Sequence, residues 1–450
     1  MWQPSPTRRQ LPVYLRIVLG LLFLIISGTG LLMLPVMSAT RPLPFMDALF
    51  TATSALTVTG LTVVTTSTQF TLLGQIVILS LIQVGGVGYM FAATLALRLF
   101  RRRISLLDRM ALSSSLGLDR PTAILRVLRR TFFGILLIEG GGALLFYLHW
   151  TLNDIVPANN ALFYALFHAV SAFCNAGFDL FDGLARYPGG IPADSGTLLI
   201  MGLIIFLGGL GIPVLTDLFT RQPHKLSTNT RVTLAVALLL VIIGWIGLYI
   251  AETQTGGVLH NAPRQQQLVH TWFQSISIRT AGFPGLRDFD QLTPPAQLLT
   301  MALMFIGCAP ASMGGGITTG TFVVLLLAVG SYARGQTTAH VGKQAIAANT
   351  VRRAGAVLTI SIGVVVIATW LLLLTHNFTL DRALFEVISA FATCGLSLGV
   401  TPELNMFGRL VIMVMMFWGR LGALTIVIAI AQRRAPTNLV QYPETTILIG

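Results

Sequence analysis

The chain has 450 residues, of which 54% are hydrophobic and only 10% charged, and Lys and Arg outnumber Asp and Glu by 29 to 16. Apolar runs of twenty or more residues recur, more than soluble cores absorb, so the composition excludes a set of soluble domains and defines a polytopic membrane protein. A net charge of +13 would point to nucleic acid in a soluble chain; here it sorts by location, and no nucleic-acid partner is read from it.

In chain order, a long apolar run, a short amphipathic run, a glycine turn and a second long run recur. The first run, residues 13–37, has Arg8, Arg9 and Arg16 at its start, is too long for a signal-peptide core and reads as a membrane span. Arg41-Pro42-Leu43-Pro44 ends it and starts a short helix predicted over 45–55, because proline is tolerated in a first helical turn and not inside. Ten or eleven residues rise only about 16 Å, roughly half of a ~30 Å hydrocarbon core. Such a segment dips in and returns, which requires its non-helical backbone to line a wet cavity. Thr57-Val58-Thr59-Gly60-Leu61 marks the return, and a second span is predicted over 71–99.

Three more copies follow. Spans over 131–151 and 196–220 flank a half-helix at 161–174; a span over 231–251 precedes a half-helix at 266–278 and a long run over 296–333; spans over 351–374 and 405–432 flank a half-helix at 381–392. Their turns are Asn175-Ala176-Gly177-Phe178, Thr280-Ala281-Gly282-Phe283 and Thr393-Cys394-Gly395-Leu396. Intervals of 117, 105 and 113 residues separate the glycines, too long for a solenoid unit. An aromatic stands ten residues before each glycine (Phe50, Phe167, Trp272, Phe385), and a serine six before in three copies (Ser54, Ser171, Ser389); the third copy has Ser275 and Ser277 nearby.

Basic residues collect at the amino end and in 98–130, 221–231, 334–353 and Arg433-Arg434, whereas acids such as Asp47, Asp179, Asp194, Glu252, Asp288 and Glu403 fall on the other side. This bias puts both termini in the cytoplasm of a multi-pass cell-membrane protein. All four glycine turns then face outward, so the copies are parallel rather than inverted. The predicted fold is an all-α polytopic membrane protein with eight transmembrane helices, in which repeats 1–105, 106–228, 229–345 and 346–450 surround a central pore.

The second long helices carry Gly85-Gly86-Val87-Gly88, Gly208-Gly209-Leu210-Gly211, Gly314-Gly315-Gly316 and Gly419-Arg420-Leu421-Gly422, small residues that let helices approach closely. In the third, the glycine-rich stretch from Gly307 to Gly320 contains Pro310 and is expected to unwind across the pore. Four converging glycine loops suit a cation whose hydration shell is replaced by backbone carbonyls, with inward half-helices aiming their carbonyl ends at it. Arg420 lies deep in an apolar run, where an arginine costs about 2.5–3.5 kcal/mol, so it needs a partner or water. Arg279, beside a loop, is expected to brace the outer mouth.

The odd cysteine count (Cys174, Cys308, Cys394) makes no disulfide framework or metal site. His149, His168, His270 and His376 read as isolated, and no Ser/His/Asp set or HExxH is present, so an embedded enzyme is the weaker alternative. An alternating-access carrier predicts inverted repeats or a charged midplane site, and neither is visible. Glu139, beside Gly140-Gly141-Gly142, has no assigned role. The basic loops read as lipid anchors with room for a docked partner, and the apolar tail Ile447-Leu448-Ile449-Gly450 as packing into a dimer.

The glycine loops, Arg279-Thr280-Ala281-Gly282-Phe283, the glycine-rich broken helix and Phe417-Trp418-Gly419-Arg420-Leu421-Gly422 together resemble the Ktr/Trk/HKT superfamily of cation transporters, from about residue 13 to 450. Eight crossings resemble the Ktr-type membrane subunit more than the longer Trk type; a Trk-type or sodium-permeable member is the alternative. The resemblance implies potassium uptake through a filter formed by Val58, Thr59, Gly60, Asn175, Ala176, Gly177, Thr280, Ala281, Gly282, Thr393, Cys394 and Gly395. It also implies a gate containing Cys308, Ser312, Gly314, Gly315, Gly316 and Arg420, a homodimer, and a cytosolic nucleotide-binding ring of the RCK type. Sodium is admitted as an activator. Cys308-Ala309-Pro310 departs from the Gly- and Ser-rich pattern expected there.

Overall fold

Inside a bilayer, backbone donors and acceptors cannot turn to water, so an apolar chain satisfies them within helices. The computed structural model describes residues 13–88, 124–187, 189–220, 226–342 and 344–422. Their regular structure is helical apart from a small antiparallel hairpin, β1 (His340–Val341) with β2 (Gln344–Ala345), and an isolated bridge between Ser38 and Phe70. The first unit holds α1 (Val13–Leu32), α2 (Phe45–Thr57), the single turn α3 (Thr66–Gln69) and α4 (Leu72–Val87). The second holds α5 (Ile124–Leu152), α6 (Ala158–Phe173), α7 (Ser195–Gly209) and α8 (Ile212–Thr220). In the third are α9 (Thr228–Thr253), α10 (Arg264–Ser277), α11 (Pro294–Ile306) and α12 (Thr319–Ala333), and in the fourth α13 (Ala348–Thr375), α14 (Leu380–Ala392) and α15 (Met406–Leu421). The basic segment 98–123, the later parts of the spans predicted over 71–99 and 405–432, Arg8, Arg9, Arg433, Arg434 and the apolar tail lie outside the described residues.

Among the described residues, Thr131–Leu152, Thr228–Thr253 and Ala348–Thr375 are long and apolar enough to cross a membrane. Their large side chains point outward, with Leu137 70% and Val366 59% exposed, while threonines and serines such as Thr51, Ser171, Thr271 and Ser389 are buried. That inversion of the soluble pattern fits a lipid-facing exterior.

The short helices α2, α6, α10 and α14 have 13, 16, 14 and 13 residues. At 1.5 Å per residue they rise about 20–24 Å, longer than the sequence expectation for the first and still short of a ~30 Å core. Pro44, Pro157 and Pro263 stand at the N-caps of the first three. α2, α6 and α14 each pack against both long helices of their own unit and α10 against α9, and every one packs against the closing helix of the preceding unit: α6 on α4, α10 on α7, α14 on α11, and α2 on α15. The last contact returns to the first unit, so the four short helices stand in a closed circle.

One predicted element is corrected. The span expected over 196–220 is two helices, α7 and α8, bent by 100°. Gly211 takes a left-handed φ of +86°, and Pro213, lacking an N–H, fits the first turn of α8. The freed backbone groups pair with the break that separates α11 from α12: Ile212 N donates to Ala311 O (3.0 Å), and Ala309 N donates to Gly209 O (3.2 Å). The two breaks therefore satisfy each other.

Candidate functional site

Each short helix ends in a loop of the same shape. The residue two before the glycine and the glycine itself are both left-handed: Val58 and Gly60 (φ 58° and 90°), Asn175 and Gly177 (56° and 67°), Thr280 and Gly282 (73° and 77°), Thr393 and Gly395 (50° and 93°). A methyl built on Gly60 would lie 2.5 Å from Ala176 O, and one on Gly177 3.0 Å from Ala281 O. On Gly282 it would overlap Cys394 O, and on Gly395 it would overlap Thr59 O. Each glycine thus backs onto the carbonyl preceding the next glycine, and the fourth backs onto the first. The twelve loop residues named from sequence form one ring.

Serine anchors the loops in two ways. Gly60 N donates to Ser54 Oγ and Gly395 N to Ser389 Oγ, both at 3.1 Å. Ser171 Oγ instead donates to Phe178 O (2.8 Å), and Ser277 Oγ to Phe283 O (2.6 Å), so Ser277 takes the anchoring role in the third copy. Phe50, Phe167 and Phe385 are fully buried, whereas Trp272 is half-buried and its neighbour Phe273 is fully buried. The closing-helix glycines admit the short helices: methyls on Gly85, Gly208 and Gly419 would overlap the carbonyls of Leu56, Phe173 and Phe391, each four residues before its loop glycine.

The break between α11 and α12 lies against this ring. Gly314 packs on the Thr280 hydroxyl, and a methyl on Gly315 would come 2.6 Å from Thr393 Oγ1. Gly316 is left-handed, at φ 76°. Cys308 Sγ donates to Arg279 O (3.0 Å), and Ser312 Oγ has no partner among the described residues. The Asn175 carboxamide lies among Thr280, Cys308 and the carbonyls of Ala172 and Ile205. Arg420 donates to Met313 O at the middle of the break and, on the other side, to Gly85 O and Gly86 O, the last at 2.9 Å. Its partners are carbonyls of two different units, which meets the need of a cation at that depth.

Two sequence expectations change. Arg279 does not brace the outer mouth: it is 6% exposed, and its guanidinium donates to Ala237 O (3.2 Å) and Gly307 O (3.1 Å), the start of the break. The histidines are not isolated. His149 pairs with Asp194 (2.6 Å), His168 Nε2 with Asp179 (2.9 Å), His270 Nδ1 with Gly285 O (2.5 Å), and His376 Nε2 accepts from Asn405 N (2.9 Å). Two of these belong to a clasp that recurs in all four units, in which the end of the first long helix, or in the first unit the turn Pro35–Met37 that follows it, holds the N-cap of the closing helix. The others are Thr71 N on Met37 O (3.0 Å) and Thr293 N on the Glu252 carboxylate (2.9 Å). The N-cap series Thr71, Asp194, Thr293, Asn405 was readable from residue type. Glu139 is buried, accepts from Gln83 Nε2 (3.1 Å) and stands behind Cys174 of the second loop.

Ring, break and lipid-facing helices define a class, that of membrane transporters for cations; no cluster of three His, Cys, Asp or Glu able to hold a metal ion occurs among the described residues. The model of the TrkH family, cation transport proteins, matches residues 18–439. The chain is 36% identical over 439 residues to Ktr system potassium uptake protein B of Bacillus subtilis, covering 96% of each. It is 37% identical to the protein of that name from Vibrio alginolyticus (96% of this chain, 94% of the relative), and 33% identical to the potassium/sodium uptake protein NtpJ of Enterococcus hirae (98% of each). The crystal structure of the potassium transporter TrkH from Vibrio parahaemolyticus shares the fold at a TM-score of 0.75 and 19% identity, covering 96% of this chain and 87% of that one. The chain belongs to the TrkH family of cation transport proteins. It is a membrane transporter and not an enzyme.

Proposed function

We propose that the chain is the membrane subunit of a Ktr-type potassium uptake system. Residues 1–105, 106–228, 229–345 and 346–450 are four parallel repeats that give eight crossings, with both termini cytoplasmic. Potassium moves down its electrochemical gradient through the ring, where carbonyls of Val58 to Gly60, Asn175 to Gly177, Thr280 to Gly282 and Thr393 to Gly395 replace its water. The break, with Cys308, Ser312 and Gly314 to Gly316, lies across the path, held by Arg420. Two copies form the working unit, a cytosolic nucleotide-binding ring controls opening, and sodium acts as an activator.

The observation that carries this reading is the closed glycine-to-carbonyl cycle, which crowds backbone oxygens around one axis as a dehydrated cation requires. The potassium uptake proteins among the relatives support the choice of ion. NtpJ, whose name includes sodium, favours a second reading in which both ions pass. Flux of each ion in liposomes separates the two, with Gly60→Ser alongside. Potassium flux well above sodium, and a ratio that falls roughly tenfold in the variant, as about 1.4 kcal/mol of lost discrimination produces, is the expected result. Equal flux of the two ions selects the second reading; absence of cation flux, even with a cytosolic regulatory subunit added, refutes both.

A further inference from the structure

Residues 279–280 and 307–308 hold each other in both directions. Arg279 Nη2 donates to Gly307 O (3.1 Å), Cys308 Sγ donates back to Arg279 O (3.0 Å), and Thr280 Oγ1 donates to Cys308 Sγ (3.2 Å). The second guanidinium branch is fixed on Ala237 O of α9 (3.2 Å). Arg279 is nine-tenths buried, has no carboxylate partner among the described residues, and leaves its Nε unpartnered beside a cavity of about 10 Å³ that Cys308 also lines. A buried cation satisfied only by carbonyls is sensitive to the loss of any one of them.

Gly307 is where the closing helix of the third unit comes apart. Its φ of 61° and ψ of −157° lie in a region open essentially to glycine alone. A methyl there would overlap Gly315 O and lie 3.3 Å from Ile317 O, so this conformation folds the break back upon itself. Turning Gly307 out of this conformation would withdraw its carbonyl from Arg279.

We infer that Arg279 is a positioning residue that couples the third glycine loop to the hinge of the broken helix, its grip on Gly307 O tying the shape of Thr280-Ala281-Gly282 to the placement of the break. The inference rests on the proposed reading of ring and break as filter and gate. Arg420 grips the break at its middle, from the first and fourth units; Arg279 grips it at its start, from the loop itself. The planar fork of arginine reaches Ala237 O and Gly307 O together, which a lysine ammonium on its flexible stem cannot reproduce.

The test uses the full chain in liposomes, with Cys174→Ser and Cys394→Ser leaving Cys308 as the sole thiol. The rate at which a small methanethiosulfonate labels Cys308 reads the clasp without reference to flux. Arg279→Lys is expected to raise that rate about tenfold, the effect of about 1.4 kcal/mol of lost holding. In the chain with all its cysteines, the same substitution is expected to raise basal potassium flux and lower the potassium-to-sodium ratio together, with Arg279→Gln further along both. A merely structural arginine would lower flux and leave the ratio alone. Unchanged labelling and unchanged selectivity in folded Arg279→Lys overturn the inference. Faster labelling in a protein whose wild type shows no cation selectivity upholds the clasp and sinks the filter reading instead. Where Arg279→Lys does not fold, Cys308→Ala and Cys308→Ser replace it. Alanine removes the return bond and is expected to lower the ratio more than serine, which keeps a donor; equal ratios in the two overturn the coupling.

Discussion

A side chain at any ring glycine meets a neighbour's backbone, and the closeness of that meeting differs around the ring. At Gly177 an added methyl stands 3.0 Å from Ala281 O and 3.2 Å from Gly282 Cα, tight but short of overlap; at Gly282 and Gly395 it overlaps a carbonyl outright. All of them also carry the left-handed penalty of about 1–2 kcal/mol for an L-residue. Gly177→Ala is therefore expected to keep more of the potassium-over-sodium ratio than Gly282→Ala or Gly395→Ala; a reversed order in paired flux measurements would falsify the ring geometry as the source of discrimination. Arg420 makes a different prediction because its partners are Met313 O, Gly85 O and Gly86 O, outside the loops. Arg420→Gln removes the clamp on the break while leaving the ring intact. Potassium flux is expected to rise roughly tenfold, with about 1.4 kcal/mol of closure lost, at constant ion ratio. Flux equal to wild type in the folded variant would remove Arg420 from gating.

Among the elements, the outer clasps hold each closing helix at its N-cap. Glu252 is buried and accepts from Val258 N, Thr293 N and Thr293 Oγ1. Thr293→Val deletes one donor to a buried carboxylate and is expected to cost about 1–3 kcal/mol, read as a lower melting temperature of the solubilised protein with unchanged ion ratio. At the other end of the closing helices, Gly211→Ala meets both a left-handed φ and Pro310 O at 2.7 Å. It is expected to disturb the paired breaks and raise basal flux, which flux through the variant alone will show.

These elements differ in how far they could be read from sequence. The short helices announce their ends by the glycine turns and the first its start by Pro44, whereas the second and third begin at Ala158 and Arg264, ahead of the expected 161 and 266, because Pro157 and Pro263 stand at their N-caps. The break in the third unit announces itself by glycine density. The bend after Gly209 does not: Gly208-Gly209-Leu210-Gly211 has the composition of a close helix contact, and Gly208 does make one with Phe173 O. The signal was Pro213 directly after Gly211-Ile212, which opens a new helix as readily as it kinks an old one. Arg279 was placed beside its loop correctly and on the wrong side of it. Local sequence fixes adjacency along the chain, whereas the carbonyls it grips, at positions 237 and 307, come from two other helices brought there only by the packing.

At the scale of the whole molecule, closure depends on contacts between the last unit and the first. Arg409 donates to Asp47 across 362 residues of sequence, Arg420 reaches Gly85 and Gly86, and α15 packs on α2. The ion pair is shielded, with side chains 22% and 15% exposed. Asp47→Asn is expected to destabilise the protein by about 2 kcal/mol, the scale of a hydrogen bond to a charged group, and Arg409→Gln added to it to cost less than Arg409→Gln alone, the remainder being its bond to Leu404 O (3.0 Å). Full additivity of the two changes in thermal denaturation would show that the pair contributes nothing to closure.

The same closure has a meaning during synthesis. Thr59 leaves the ribosome long before Gly395, yet its carbonyl is covered only when that glycine arrives. Until then the loops form an open arc with no complete ring of carbonyls, and on the proposed reading of the ring as a filter a dehydrated ion has nowhere to sit. If the ring is the filter proposed above, a cell making this protein is spared a selective conduit through every unfinished copy, because the path for ions and the finished chain come into being together.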